Sequence, residues 1–247
     1  MNLISLNDLF DYKYKIYQND DYFKFSIDSV LLAEFVSVKK NKNKLLDICS
    51  GNFPVPMILD EKFDGKLEIS AVELQEDVFK LGVESLNYNK IVNIKSFNDD
   101  IKNYKNIFNN KKFDIITCNP PYFVVTDDKV KNDNSIKAIA RHEIALTLED
   151  VFHISSKLLE NQGSLYMIHK GERLADIILF AAKYKFGIKK IQPVYDSKDS
   201  PCCFVLVEAV FNAKNYVKIG NPLFLKDYSS YKGIFERWYY EINSWFR

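Results

Sequence analysis

Phe113-Asp114-Ile115-Ile116-Thr117-Cys118-Asn119-Pro120-Pro121-Tyr122 is the stretch on which the fold turns. Its first six residues are apolar or β-branched apart from Asp114, the pattern of a short buried strand. The two prolines then fix φ and remove two backbone donors, and proline disfavours helix at the residue before it. The strand therefore stops at the edge of a sheet, with the carbonyls around Asn119 held in set directions.

The pattern upstream is the same. Leu45 to Cys49 reads as a buried strand ending in a polar turn that contains Gly51. Leu67 to Leu74 reads as a second strand and Ile91 to Ile94 as a third. Helical spacing links them: Ser29 to Val38 pairs Leu31/Leu32 with Phe35/Val36, and Glu76 to Asn87 carries Val78, Phe79, Val83 and Leu86. Downstream, Thr147 and Asp150 form an acidic variant of the capping box, opening a helix through Leu159. Gly163 leads into a strand from Ser164 to His169. A helix follows over Leu174 to Tyr184, and Cys202 to Phe211 is a long apolar strand. Strands separated by helices predict an α/β fold, a mostly parallel sheet with helices on both faces.

The 247 residues suffice for one such domain: an N-terminal extension and helix over 1–40, a core over 41–225 and an aromatic segment over 226–247. A hydrophobic share of 47% excludes disorder for the bulk of the chain. With 34 basic and 33 acidic residues, a generally polycationic nucleic-acid binder is excluded, but a local basic face is not. Arg141, Arg173, Arg237 and Arg247 are the only arginines, and Asn, Ile, Phe and Tyr are abundant, the mark of an A/T-rich coding sequence. Lysines such as Lys183, Lys185, Lys189 and Lys190 therefore read as a solvated face. Cys49, Cys118, Cys202 and Cys203 lack metal-ligand spacing and read as reduced thiols, predicting no metal. Met1 to Asp8 has no signal-peptide pattern, and no apolar run reaches bilayer length, so an intracellular protein without a membrane anchor is expected.

In an open parallel sheet, ligands bind at the carboxyl ends of the strands near the reversal in strand order. The turn after the first strand, Asp47 to Pro54, offers free N–H groups to an anionic ligand group. Glu73, 26 positions after Asp47, stands where an acidic residue grips the ribose hydroxyls of an adenosine cofactor; alone it is equally an ordinary strand-end carboxylate. Asn98, Asp99 and Asp100 follow the third strand. At the fourth, the Asn119 side-chain carbonyl and a backbone carbonyl can accept both hydrogens of a planar exocyclic amine, while Tyr122 offers a ring for stacking. Such an amine is a poor nucleophile because its lone pair is delocalised. Two acceptors favour a pyramidal nitrogen and stabilise the charge that develops on transfer of a methyl group. Holding the reactants together contributes up to about 7–11 kcal/mol more.

These residues resemble the class I S-adenosylmethionine-dependent methyltransferases that act on amines, whose hallmark is Asn-Pro-Pro-Tyr. Phe25 to Ala33, Asn119 to Phe123, Ala138 to Glu143 and Pro193-Val194-Tyr195 together resemble the bacterial tRNA(Val) (adenine-37) N6-methyltransferase family, over about residues 3 to 225. The resemblance implies a Rossmann-like, seven-stranded, mostly parallel sheet and methylation of an adenosine beside the anticodon, with the tRNA(Val) anticodon stem-loop as partner. It implies cofactor contacts from Phe25, Ser26, Asp28, Asp47, Ser50, Gly51, Glu73, Leu74, Asp100 and Asn119, with Asp99 the alternative to Asp100. It gives catalysis to Asn119, Pro120, Pro121 and Tyr122, and substrate contacts to Tyr122, Phe123, Arg141 and His142. Arg141-His142-Glu143 either positions RNA phosphate or caps the helix that follows. The other enzymes sharing the tetrapeptide act on DNA, ribosomal RNA or a protein glutamine.

One departure stands out. Cys49 and Phe53 occupy positions where the family's first motif has glycine, which permits positive φ and close approach of backbone to ligand. A side chain there costs roughly 1–2 kcal/mol, and Phe53 is expected to crowd the methionine end of the cofactor. The departure keeps open a weakly catalytic or inactive RNA-binding protein on the same fold.

Overall fold

The structure, a computed structural model, describes residues 4–9, 12–19, 27–120 and 146–226. A hairpin comes first, β1 (Ile4–Asp8) antiparallel to β2 (Lys15–Asn19). Then follow α1 (Ile27–Phe35), β3 (Lys44–Ile48), α2 (Pro54–Lys62), β4 (Glu68–Glu73), α3 (Glu76–Tyr88) and β5 (Ile94–Asn98). A 3₁₀ turn over Ile101–Asn103 leads into α4 (Tyr104–Phe108) and β6 (Phe113–Cys118). The second half holds α5 (Leu148–Leu158), β7 (Leu159–Lys170), α6 (Leu174–Lys183), β8 (Phe186–Tyr195) and β9 (Cys202–Phe211). Two short strands, β10 (Lys218–Ile219) and β11 (Leu223–Phe224), both pair with β8.

The large sheet runs β10-β8-β9-β7-β6-β3-β4-β5. β9 is antiparallel to both neighbours, and the other pairs are parallel. Its seven long strands make the Rossmann-like, mostly parallel sheet that the sequence predicts, doubly wound from β3 outward. Alternating side chains divide the core between the two faces. Leu45, Ile69, Ile115, Tyr166 and Leu206 face α1, α2 and α3. Leu46, Ile48, Ile116, Cys118, Leu165 and Val207 face α4, α5 and α6. The hairpin docks on α3: Ser85 Oγ accepts the Tyr17 N–H at 2.9 Å, and Asn89 pairs with both backbone groups of Lys15.

The third strand lies further along the chain than its apolar residues suggest. Ile91 belongs to the end of α3, where its N–H reaches the Leu86 carbonyl (3.0 Å) and the Lys90 N–H the Asn87 carbonyl (3.1 Å). With Lys90 at φ 57°, this is a Schellman motif whose left-handed position is lysine rather than glycine. Ile91 packs into the core as the hydrophobic contact of that motif, and pairing starts at Ile94. The Thr147 cap forms as predicted, with the Thr147 hydroxyl and Asp150 carboxylate each accepting the other's N–H.

Helix α2, with prolines 54 and 56 in its first turn, tolerates them because N–H groups there have no helical partner. Its cap is Phe53, at φ 70° and without exposure to solvent. The Phe53 ring meets Phe79 edge to face, centroids 5.7 Å apart, and packs against Gly82 of α3. A Cβ on Gly82 would come within 2.5 Å of that ring. The large residue in the turn and the absent side chain on α3 are thus two halves of one packing arrangement. Alanine for glycine within a helix ordinarily stabilises by up to about 1 kcal/mol. Here Gly82→Ala is expected to destabilise by about 1–3 kcal/mol through overpacking, read by urea unfolding; unchanged or greater stability would show that the ring yields without cost.

Candidate active site

Strands β3 and β6 are parallel neighbours, with Asp47 beside Thr117 and Ile48 beside Cys118. After β3 the chain turns toward β4; β6 is followed in the sheet by β7 on the opposite side. Here the strand order reverses, and the carboxyl ends carry Asp47 to Gly51, Glu73-Leu74, Asn98 to Asp100 and Asn119-Pro120. The structure therefore brings together the strand-end residues singled out from the sequence.

Asp47 is buried, 2% exposed, and its Oδ1 accepts the Thr117 hydroxyl at 2.5 Å. Burial pushes its carboxyl up to about 7, against the Thr117 hydrogen bond and the opposing effect of the Ser50 side chain, and the nearby Glu73 charge adds to the rise. From Ser50 to Phe53 the turn that follows is tied within the protein, so the N–H groups of Ser50, Gly51 and Phe53 are not free for an anionic ligand as the sequence suggests. Ser50 donates from its hydroxyl to the Asp47 carbonyl (2.9 Å) and from its N–H to the Val72 carbonyl (3.1 Å). Gly51 donates its N–H to Glu73 Oε2 (2.8 Å), while Glu73 Oε1 accepts the Gln75 N–H (2.9 Å). Asn52 reaches the Tyr17 carbonyl (2.8 Å), joining the turn to the N-terminal hairpin. The turn closes with the Phe53 N–H on the Ser50 carbonyl at 2.9 Å.

Cys49 at φ 58°, Gly51 at φ 56° and Phe53 at φ 70° are all left-handed. The backbone adopts the conformation that glycine favours even though two of the three residues are not glycine, at a cost of about 1–2 kcal/mol each. The expected crowding by Phe53 does not occur, because its ring is sealed in the core against Phe79 and Gly82. Beside Gly51 a Cβ would meet nothing within 4 Å, so open space flanks the backbone there.

Leu74 is an apolar side chain left 43% exposed at the end of β4. Asp99 accepts the Asp100 N–H (2.7 Å) and the Asn103 amide (2.8 Å), while Asp100 caps the 3₁₀ turn through the Lys102 N–H (2.9 Å). Asn98 holds the Glu73 and Leu74 carbonyls with its amide, at 2.9 and 3.2 Å. On α1, the buried Asp28 accepts the Ser29 N–H at 2.8 Å. Asn119 donates its amide N–H to the Ser29 hydroxyl at 3.3 Å. In this arrangement the amide nitrogen faces Ser29, and the side-chain carbonyl is the acceptor end of the group. Pro120 is buried beside it. Phe25, Ser26, Pro121, Tyr122, Phe123, Arg141, His142 and Glu143 lie outside the described residues, as do residues 126–134 and the tail from Asp227. His169 is buried at the end of β7, its Nδ1 accepting the Lys170 N–H (2.9 Å), and burial lowers its pKa to about 4. His153 lies on α5, edge to face with Tyr184.

Sequence reasoning passed over two residues, Thr117 and Ser29. Thr117 reads as one more β-branched strand residue, and the only hint of its role is that it alternates with Asn119 onto one face. Ser29 was legible only as part of the Phe25 to Ala33 resemblance. Among the described residues no group of three or more His, Cys, Asp or Glu is arranged to hold a metal, and no helix is long and apolar enough to cross a membrane.

The raised Asp47 pKa has a definite sign. The carboxyl is neutral in the folded protein and ionised in the unfolded chain between about pH 4 and 7, so folding takes up a proton and stability falls as pH rises through that window. The slope is at most about 1.4 kcal/mol per pH unit, the whole contribution being present below pH 4. Asp47→Asn should flatten this dependence in denaturant unfolding at pH 5 to 8. Parallel curves for the two proteins would contradict a buried, protonated Asp47.

The family model described as "Methyltransferase small domain" matches residues 22–179, more than half of the chain. A tRNA1(Val) (adenine(37)-N6)-methyltransferase of Cytophaga hutchinsonii is 25% identical over 206 residues, covering 81% of this chain and 82% of that protein. One of Shewanella woodyi is 27% identical over 177 residues, covering 70% of each. A predicted O-methyltransferase of Agrobacterium tumefaciens, solved as a crystal structure, matches with a TM-score of 0.66 at 17% identity over 86% of this chain and 96% of its own, a likeness of fold. The sheet order, the strand-end residues and the match over residues 22–179 agree: the chain belongs to the methyltransferase small domain family.

Proposed function

We propose that this protein methylates the N6 amine of adenosine 37, beside the anticodon, in tRNA(Val), with S-adenosylmethionine as methyl donor. The observation that carries the reading is Asn119, stationed at the carboxyl end of β6 across from the β3 turn and oriented by Ser29. The names of relatives spanning most of the chain support the choice of substrate.

The residues present fit the cofactor. Open space beside Gly51 admits a ligand against the backbone, Glu73 offers a carboxylate at the end of β4, and Leu74 lies exposed next to it. Glu73 would hold the ribose hydroxyls, with Leu74 and Asp100 or Asp99 at the adenine. Asp47, Ser50 and Gly51 would shape the methionine end, closed over by Phe25, Ser26 and Asp28. When bound, S-adenosylmethionine supplies a methyl group on a positively charged sulfur. The chain's own part is to hold the amine. The Asn119 side-chain carbonyl and the Pro120 carbonyl would each accept one amine hydrogen, turning the nitrogen lone pair toward the methyl and stabilising the positive charge that grows there. Tyr122 and Phe123 would stack on the adenine, with Pro121 rigidifying the clamp and Arg141 and His142 toward the RNA. A base in a single-stranded loop is extruded more cheaply than one in a duplex, which suits the anticodon stem-loop.

Nucleoside analysis of tRNA incubated with the protein and S-adenosylmethionine should reveal N6-methyladenosine at position 37 of tRNA(Val). Asn119→Ala is expected to reduce its formation by at least about 100-fold, in the range seen when a single stabilising contact to developing charge is removed, while cofactor binding stays near wild type. Loss of cofactor binding instead would place Asn119 in the cofactor site alone. Retention of tRNA without methylation by the wild type would favour an RNA-binding module.

A further inference from the structure

Regular alternation would send the residue after Ile48 to the face of α1, α2 and α3. Cys49 instead packs on the opposite face, with Ile48 and Cys118. Its positive φ breaks the alternation and turns the side chain toward β6. Ile48 is the register partner of Cys118, so Cys49 sits on the diagonal one residue beyond. Strand spacing and rise place the two Cα atoms about 6 Å apart, inside the roughly 4.4–6.8 Å that a disulfide spans. Both thiols are free and near enough for Cys49 to help raise the Cys118 pKa, with Cys118 fully buried and Cys49 partly open to solvent.

We propose that Cys49 and Cys118 are an oxidation site: a dithiol that a hydroperoxide converts to a disulfide, tying the cofactor turn to the strand that carries Asn119. Burial and the neighbouring thiol keep Cys118 protonated, so the exposed partner reacts first. The Cys49 thiolate attacks one peroxide oxygen; the S–O bond forms, the O–O bond breaks, and the released hydroxide is protonated to water. The Cys118 sulfur then attacks the Cys49 sulfur; the S–S bond forms, the S–O bond breaks, and the hydroxyl leaves as water with the Cys118 proton. The two sulfurs lose two electrons and the peroxide gains them. Closing to an S–S bond of about 2.05 Å draws Cys49 toward β6. The next two residues supply the Ser50 N–H to Val72 and Gly51 N–H to Glu73 bonds, so oxidation loosens the turn that would face the cofactor. This consequence rests on the cofactor reading above; formation of the bond does not.

The test is hydrogen peroxide treatment of the full reduced chain. Peptide mapping should find residues 45–62 joined to 113–129 with loss of two hydrogens. Calorimetric titration should show S-adenosylmethionine bound about tenfold more weakly, the order of one lost hydrogen bond, and dithiothreitol should restore it. Cys49→Gly suits the left-handed backbone and should fold, form no cross-link and bind the cofactor equally well before and after peroxide. Cys49 oxidised beyond the sulfenic acid without a link, a link confined to Cys202 and Cys203, or a 45–62 to 113–129 link with unchanged affinity would overturn the proposal. A reduced wild type that binds no cofactor yet forms the cross-link would defeat the cofactor reading and uphold the dithiol.

Discussion

Strands β3 and β6 lie side by side and parallel, while the sheet grows in opposite directions from them. A crevice must open at their carboxyl ends, because the connections diverge there. The bond that joins the two strands at that point runs from the buried Thr117 hydroxyl to Asp47. It pairs the next-to-last residue of β3 with the residue two before Asn119. The turn after β3 and the strand that carries Asn119 thus share one buried contact, and much of the candidate site's geometry follows from it. The turn hangs from Asp47 through Ser50 and is anchored on Glu73 through Gly51. Asn119 donates its amide N–H to Ser29 on α1.

Much of the fold was legible because apolar periodicity is a strong signal for buried strands. Phe113 to Cys118 and Cys202 to Phe211 have the bounds read from the sequence, and the Thr147 cap announced α5. The turns were harder, for a compositional reason. The chain has 8 glycines in 247 residues. Left-handed positions that usually advertise themselves as glycine are filled here by Asn41, Lys90, Asn109, Asn110, Lys185 and Asn212. Without a glycine at Lys90, Ile91 looked like the start of a strand when it was the hydrophobic end of a helix. The hairpin escaped for another reason. Lys15 to Asn19 mixes polar and apolar residues and is held by side chains of α3, a tertiary partnership that local pattern does not encode.

The strand-end residues were legible because fold topology, rather than sequence spacing alone, gathers them; Asp47, Glu73 and Asn119 needed only the right strand order. The supporting contacts were not. Thr117 and Ser29 are ordinary residues whose partners lie 70 and 90 positions away. The two departures from glycine were visible, but their outcomes were not. Phe53 is accommodated because α3 offers Gly82 opposite it, and Cys49 because its left-handed backbone carries the thiol to Cys118. A substitution that looks disabling in one motif is resolved by a residue in a distant element.

Calorimetric titration of the reduced protein with S-adenosylmethionine tests most directly whether this crevice is a working cofactor site. Saturable binding of one cofactor per chain, abolished or strongly weakened by Glu73→Ala in a protein that still folds, is the predicted result. A folded wild type that takes up no cofactor would contradict the account, and would mean that the turn built on Cys49 and Phe53 keeps the shape of the site without its function.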